Sequence, residues 1–119
     1  MEKFIPVVVI KELADECHRQ DIKLHFYYSH IDWYRDDYPA THTGLYAGRD
    51  PKKADWSSYY RFMNRQLTEL LTQYGPIGAI WFDGWWDKPD EDWEFDELYA
   101  TIRKHQPTAM IINNTGLER

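Results

Sequence analysis

The sequence predicts an α/β fold built on a parallel sheet, and three observations carry that prediction. Helix-like and strand-like patterns alternate along the chain in the order α-β-α-β-α-β, and strands separated by helices imply parallel pairing through right-handed crossovers. The run Ile77 to Trp86, IGAIWFDGWW, opens with six apolar residues, the near-continuous pattern of a strand buried on both faces. The chain has 119 residues, 43% of them hydrophobic, which fits one domain with a real core.

The elements follow in order. Pro6 at a first helical position leads into VVVIKELADECHR, where Val9, Leu13 and Cys17 fall on one face and predict a helix. In Lys23 to Ser29, Leu24, Phe26 and Tyr28 alternate with His25, Tyr27 and Ser29, the period of a strand. A long irregular stretch rich in Asp, Pro, Gly and Thr comes next. Asp55 then caps an amphipathic helix from about Trp56 to Tyr74, with Tyr60, Met63, Leu67, Leu70, Leu71 and Tyr74 as its buried stripe. Gly75-Pro76 stops that helix. The second strand is Ile77 to Asp83, and a turn follows through Trp85 to Asp90. A helix from about Glu91 to His105 carries Phe95, Leu98, Tyr99 and Ile102 on one face, and Ala109 to Asn113 reads as a third strand.

Spacing narrows the class. The second and third strands lie roughly 31 residues apart, close to the ~30 expected of one unit in an eight-unit barrel. The first and second lie roughly 54 apart, so that unit carries an insertion of about 20 residues in the loop after its strand. The expectation is therefore a partial (β/α)8 TIM-barrel with about three parallel strands and three helices, one domain over residues 1–119. Parity in the second strand sends Ile80 and Phe82 to the helices, with Trp81 and Asp83 facing the interior and its mouth. Active sites in such folds lie at the carboxyl ends of strands. Asp83 is thus a candidate catalytic carboxylate, with tryptophans beside it as flat apolar surface for a sugar. The alternative is a tight turn, for which Asp83-Gly84 is a common pair. Trp85 and Trp86 serve packing as readily as contact, and Trp33 in the long loop is harder to bury.

Composition excludes other classes. A net charge of −6 argues against nucleic acid or an anionic membrane surface as partner. No apolar run reaches a membrane span and no signal-peptide pattern is visible, so a cytoplasmic location is the default expectation. Cys17 is the single cysteine. No cluster has metal-ligand spacing, and no cofactor is expected. His30 and His42 in the long loop are pocket or surface candidates, His25 is a candidate for the barrel interior, and His18 and His105 are expected to be solvated.

The runs FYYSHIDWYRDDYP, QLTELLTQYGPIGAIWFDGWW, FDELYATIRKHQP and MIINN resemble the α-L-fucosidases of glycoside hydrolase family twenty-nine, in order and with compatible spacing. The resemblance implies a catalytic (β/α)8-like barrel, of which this chain matches strands three to five. It implies hydrolysis of terminal α-L-fucose from a fucosylated glycan or fucoside, with retention, through a covalent glycosyl-enzyme. Asp83 matches the family nucleophile and Trp81 the aromatic residue lining the fucose pocket. A tyrosine of the YYS run also lines it, and strand parity favours Tyr27. Trp33 and Trp85 are further candidates for sugar contact.

Two departures stand beside that match. The His-His-Asp-Gly-Phe segment that helps hold fucose has no counterpart here. The family's acid/base glutamate falls in or beyond the segment after its fifth strand, where Glu118 is the only carboxylate, and the acid/base residue stays unassigned. A three-stranded slice of a barrel has two open edges and an apolar inner face, which predicts completion by self-association as a homo-oligomer. Other readings are a catalytically impaired carbohydrate-binding remnant and a purely structural fragment.

Overall fold

In the computed structural model, residues 7–39 and 50–114 are described. They form α1 (Val7–Arg19), β1 (His25–Ser29), α2 (Trp56–Thr72), β2 (Ala79–Asp83), α3 (Phe95–His105) and β3 (Met110–Asn113). Short 3-10 turns at Pro51–Lys53 and Trp85–Asp87 complete the list. The strands make one parallel sheet in the order β1-β2-β3. The alternating order of elements therefore gives the parallel architecture that the sequence predicts.

Residue parity divides the sheet into two faces. Ile80 and Phe82 are fully buried beneath the helices, in one core with Met63, Leu67 and Leu71 of α2 and Leu98 and Ile102 of α3. Phe26 and Tyr28 lean on the same side, Tyr28 edge-on to Phe82 with ring centroids 6.1 Å apart. The opposite face carries His25, Tyr27, Trp81, Met110 and Ile112, all exposed. That second face is the one a closed barrel would turn inward.

The second helix begins as its sequence requires. The Asp55 carboxylate accepts the Ser58 N–H at 3.0 Å, a side-chain N-cap. Tyr59 joins its buried stripe in place of the expected Tyr60, which is only half-buried, because the Tyr59 hydroxyl reaches inward to the backbone carbonyl of His30. Gly75 ends the helix region at φ +77, a left-handed conformation that favours glycine.

Two expectations are corrected. On α1 the buried residue is Ala14, with Ile10 and Cys17 packed around Leu24 and Tyr74. Val9 and Leu13 are 51% and 55% exposed, so their stripe is the outer one. A spacing of four fits both stripes, and the small Ala14 lets the helix lie close to the chain beneath it. The third helix starts at Phe95 rather than Glu91. Trp93 explains the delay: it is buried, its indole N–H donates to the Lys88 carbonyl at 2.9 Å, and the turn that places it runs through Glu94 at φ +45. The Asp92 carboxylate accepts the Glu94 N–H at 2.9 Å and holds that turn. Pro6 lies outside the described residues.

Core and cap carry different weights. Leu67→Ala is expected to lower unfolding free energy by about 2–5 kcal/mol, and Asp55→Ala by about 1 kcal/mol. Urea titration of both variants checks that ranking, and equal losses would contradict it.

Candidate functional site

Asp83 closes β2, and the parity that buries Phe82 turns its carboxylate to the open face. Register sets Ser29 beside Asp83, and Tyr27 beside Trp81 and Ile112 one row below. From that lower row the Tyr27 hydroxyl donates to Asp83 Oδ2 at 3.0 Å. From the far side Asn114 Nδ2 donates to Oδ1 at 3.1 Å. These two donors, Asn114 foremost, hold the Asp83 carboxyl below the usual carboxylate range, with help from the Gly84 N–H and the Trp86 side chain. Slight desolvation and the adjacent carboxylate push the phenol of the exposed Tyr27 up, so it stays a donor at neutral pH. The turn expected of Asp83-Gly84 is also present. Gly84 adopts φ +92 and opens the Trp85–Asp87 turn, and a Cβ there would stand 2.7 Å from the Ile31 side chain.

A hollow of about 480 Å³ surrounds the carboxylate. Tyr27, Asp32, Trp33, Tyr34, Asp83 and Trp86 are among the residues that line it. Trp33 and Tyr34 are displayed by a turn in which Asp32 Oδ1 accepts the N–H groups of Tyr34 at 2.9 Å and Arg35 at 3.1 Å. The following residues tie that turn to α2. Arg35 pairs with Asp37 at 2.6 Å, Asp37 accepts the Ser58 hydroxyl at 2.7 Å, and the guanidinium sits 3.8 Å over the Phe62 ring. Tyr38 and Asp87 join the loops after β1 and β2: the phenol donates to the buried carboxylate at 2.6 Å, and Lys88 Nζ pairs with the same oxygen.

Of the residues singled out from sequence, the hollow brings together Asp83, Tyr27 and Trp33. Trp81 stands on the same face, 49% exposed, in the row beneath Asp83. Trp85 lines a separate hollow of about 500 Å³ with Pro89, Asp92 and Trp93, and Trp86 takes the place beside Asp83. Asn114 was not singled out, although strand alternation past Asn113 would have turned it inward at the level of Asp83. His25 is exposed on the open face, and the His18 Nε2–H donates to the Pro76 carbonyl, 2.8 Å away. His42 and Glu118 lie outside the described residues.

His30 is corrected from pocket or surface candidate to core residue. It is fully buried, stacked on Phe82 at 4.9 Å and packed on Trp93 at 4.6 Å. Its backbone N–H donates to the Asp83 carbonyl at 2.7 Å, which locks the loop after β1 to the end of β2. Neither ring nitrogen has a hydrogen-bond partner. Burial pushes the imidazole down to about 4, against a smaller opposite pull from the Asp83 charge.

Comparison with known proteins supplies the context of this arrangement. The family model described as alpha-L-fucosidase matches residues 7–119. Alpha-L-fucosidase 1 of Arabidopsis thaliana is 32% identical over 110 residues, 91% of this chain and 19% of that protein. Among solved structures, alpha-L-fucosidase isoenzyme 1 from Paenibacillus thiaminolyticus aligns with a TM-score of 0.71 at 37% identity, over 87% of this chain and 26% of that one. The alpha-L-fucosidase from Vibrio sp. strain EJY3 aligns with a TM-score of 0.71 at 30% identity, over 86% of this chain and 18% of that one. The chain thus spans about a fifth of the length of the curated relatives it matches.

The His30 environment sets a pH dependence. Its folded-state value lies below the ordinary 6.5, so the unfolded chain binds the proton more readily. Stability from the neutral ring is complete above about pH 6.5 and is lost as pH falls towards 4, by about 3 kcal/mol in all. His30→Leu is expected to flatten that slope and to be the more stable protein at pH 5, since it also removes an unpartnered polar ring. Denaturant midpoints between pH 4 and 7 check this, and parallel slopes for both proteins would refute it.

Proposed function

This chain belongs to the α-L-fucosidase family, and from that membership we propose that it serves removal of terminal α-L-fucose with Asp83 as nucleophile. The observation that supports this most directly is the Asp83 carboxylate at the carboxyl end of β2, held by two donors in a hollow lined by aromatic residues. A retaining glycosidase needs an ionised carboxylate there, with a second carboxyl about 5 to 5.5 Å away as acid and then base. In the first step an Asp83 oxygen bonds to the anomeric carbon as the leaving oxygen departs with its bonding pair and a proton from the acid. Water then hydrolyses the ester with the sugar's configuration retained.

The aromatic residues fit the sugar. The C5 methyl of L-fucose suits the apolar faces of Trp81 and Trp86, and the exposed Trp33 suits the group attached to fucose. Asp32, the other carboxylate among the described residues of the hollow, spends Oδ1 on two backbone N–H groups that hold its turn, a structural commitment that suits it poorly as the acid. That commitment also favours a second reading, a sugar-binding unit whose turnover is impaired. Exposed Tyr27, Trp81, Met110 and Ile112 on the open face support association with further copies to complete a barrel-like enclosure.

An aryl α-L-fucoside is the substrate of choice, because a good leaving group lessens the need for an acid. Asp83→Asn is expected to lose about three orders of magnitude or more in kcat, and full turnover by that variant would refute the nucleophile. Calorimetric binding of fucose without turnover of the aryl fucoside would select the second reading. Light scattering is expected to show a concentration-dependent oligomer, and a stable monomer at micromolar concentration would count against the assembly.

A further inference from the structure

We propose that Asn114 is a positioning residue for Asp83, fixing the plane of the nucleophile's carboxylate from the neighbouring strand; this rests on the assignment of Asp83 as nucleophile. The β2–β3 ladder carries Asn114 to its place. Phe82 is paired with Asn113, and the Asn114 N–H donates to the Phe82 carbonyl at 3.1 Å, extending the pairing one residue past β3. Alternation then separates the two asparagines. Asn113 turns to the helices, where its amide donates to the Tyr99 hydroxyl at 2.8 Å, and Asn114 turns to the open face.

The contact has one chemical sense. An ionised carboxylate only accepts, so Asn114 must present its NH2 group to Oδ1. Tyr27 holds Oδ2 from β1 on the opposite flank. Donors on both oxygens, anchored on both neighbouring strands, oppose rotation of the carboxylate about its last side-chain bond. An amide achieves this without a cation's charge, so the carboxylate keeps its full negative charge for attack. Orientation of this kind matters because a displacement of about 1 Å from the line of attack costs on the order of a hundredfold in rate. The other titratable groups around Asp83 are Tyr27 on β1, and His30, Asp32 and Tyr34 in the loop after it. Of the side-chain donors to Asp83, Asn114 is the largest influence on its charge.

The test uses the intact chain and reads both charge and rate. The Asp83 carboxyl carbon is followed by NMR as pH is lowered, its signal assigned by its loss in Asp83→Asn. Asn114→Leu, which keeps the volume and removes the donor, is expected to raise the Asp83 midpoint. Asn114→Asp is expected to raise it further, because a second carboxylate then stands beside the first. Asn114→Gln, which restores a donor, is expected to bring it back towards the parent value. On the aryl fucoside, Asn114→Leu is expected to lower kcat about a hundredfold with little change in KM. An unmoved midpoint in both the Leu and Asp variants would overturn the contact, and a moved midpoint with unchanged kcat would overturn the positioning role. Full turnover by Asp83→Asn would instead topple the nucleophile itself, while the titrations would still decide whether Asn114 holds the carboxylate.

Discussion

The two-residue period of β2 is the constraint on which the rest of the structure depends. Ile80 and Phe82 are driven beneath α2 and α3 by the apolar area they remove from water. With those two fixed, Trp81 and Asp83 have no choice of face. A slip of one residue would place a carboxylate in the core and two apolar side chains in solvent, and either change costs several kcal/mol. The same register aligns Tyr27 and Asn114 with the carboxylate from either side. The position of the site therefore follows from core packing on the opposite side of the sheet.

The loops add a second level of order. The backbone bond from His30 to the Asp83 carbonyl and the buried Tyr38–Asp87–Lys88 cluster join the segments after β1 and β2. Asp32, Arg35 and Asp37 then fix the turn that exposes Trp33 and Tyr34 to the hollow. Each of these polar groups has a partner suited to it, as a low-dielectric setting demands. His30 differs, because its ring is held by aromatic stacking alone and its function in the fold is carried by its backbone.

How far the sequence alone reaches can be judged residue by residue. The strands, the Asp55 cap and the facing of Asp83 were legible, because they rest on local pattern and on the apolar period of a buried strand. The α1 face was not, since Val9-Leu13 and Ile10-Ala14 both satisfy a helical spacing and only tertiary contact decides between them. The late start of α3 depends on a buried Trp93 that a helical periodicity cannot distinguish from a surface residue. The choice between adjacent Trp85 and Trp86 turns on the left-handed Gly84 and the short turn behind it, which rotate neighbouring side chains to different hollows. The burial of His30 was hidden for a similar reason: it follows a strand in sequence, but the aromatic cage around it is assembled from β2 and from the segment before α3.

The side chains lining the hollow have a consequence of their own. Among the described residues they include two carboxylates, Asp83 and Asp32, and no lysine or arginine, while the Lys88 ammonium is paired with Asp87 beneath the surface. The described side chains therefore give the concavity a negative potential between aromatic residues that are themselves exposed. A guest that develops positive charge at its reacting carbon is stabilised there, as an oxocarbenium-like sugar would be. A guest bearing a sulfate, phosphate or carboxylate near that carbon is repelled. The charge of these side chains thus favours neutral guests over anionic ones in the hollow.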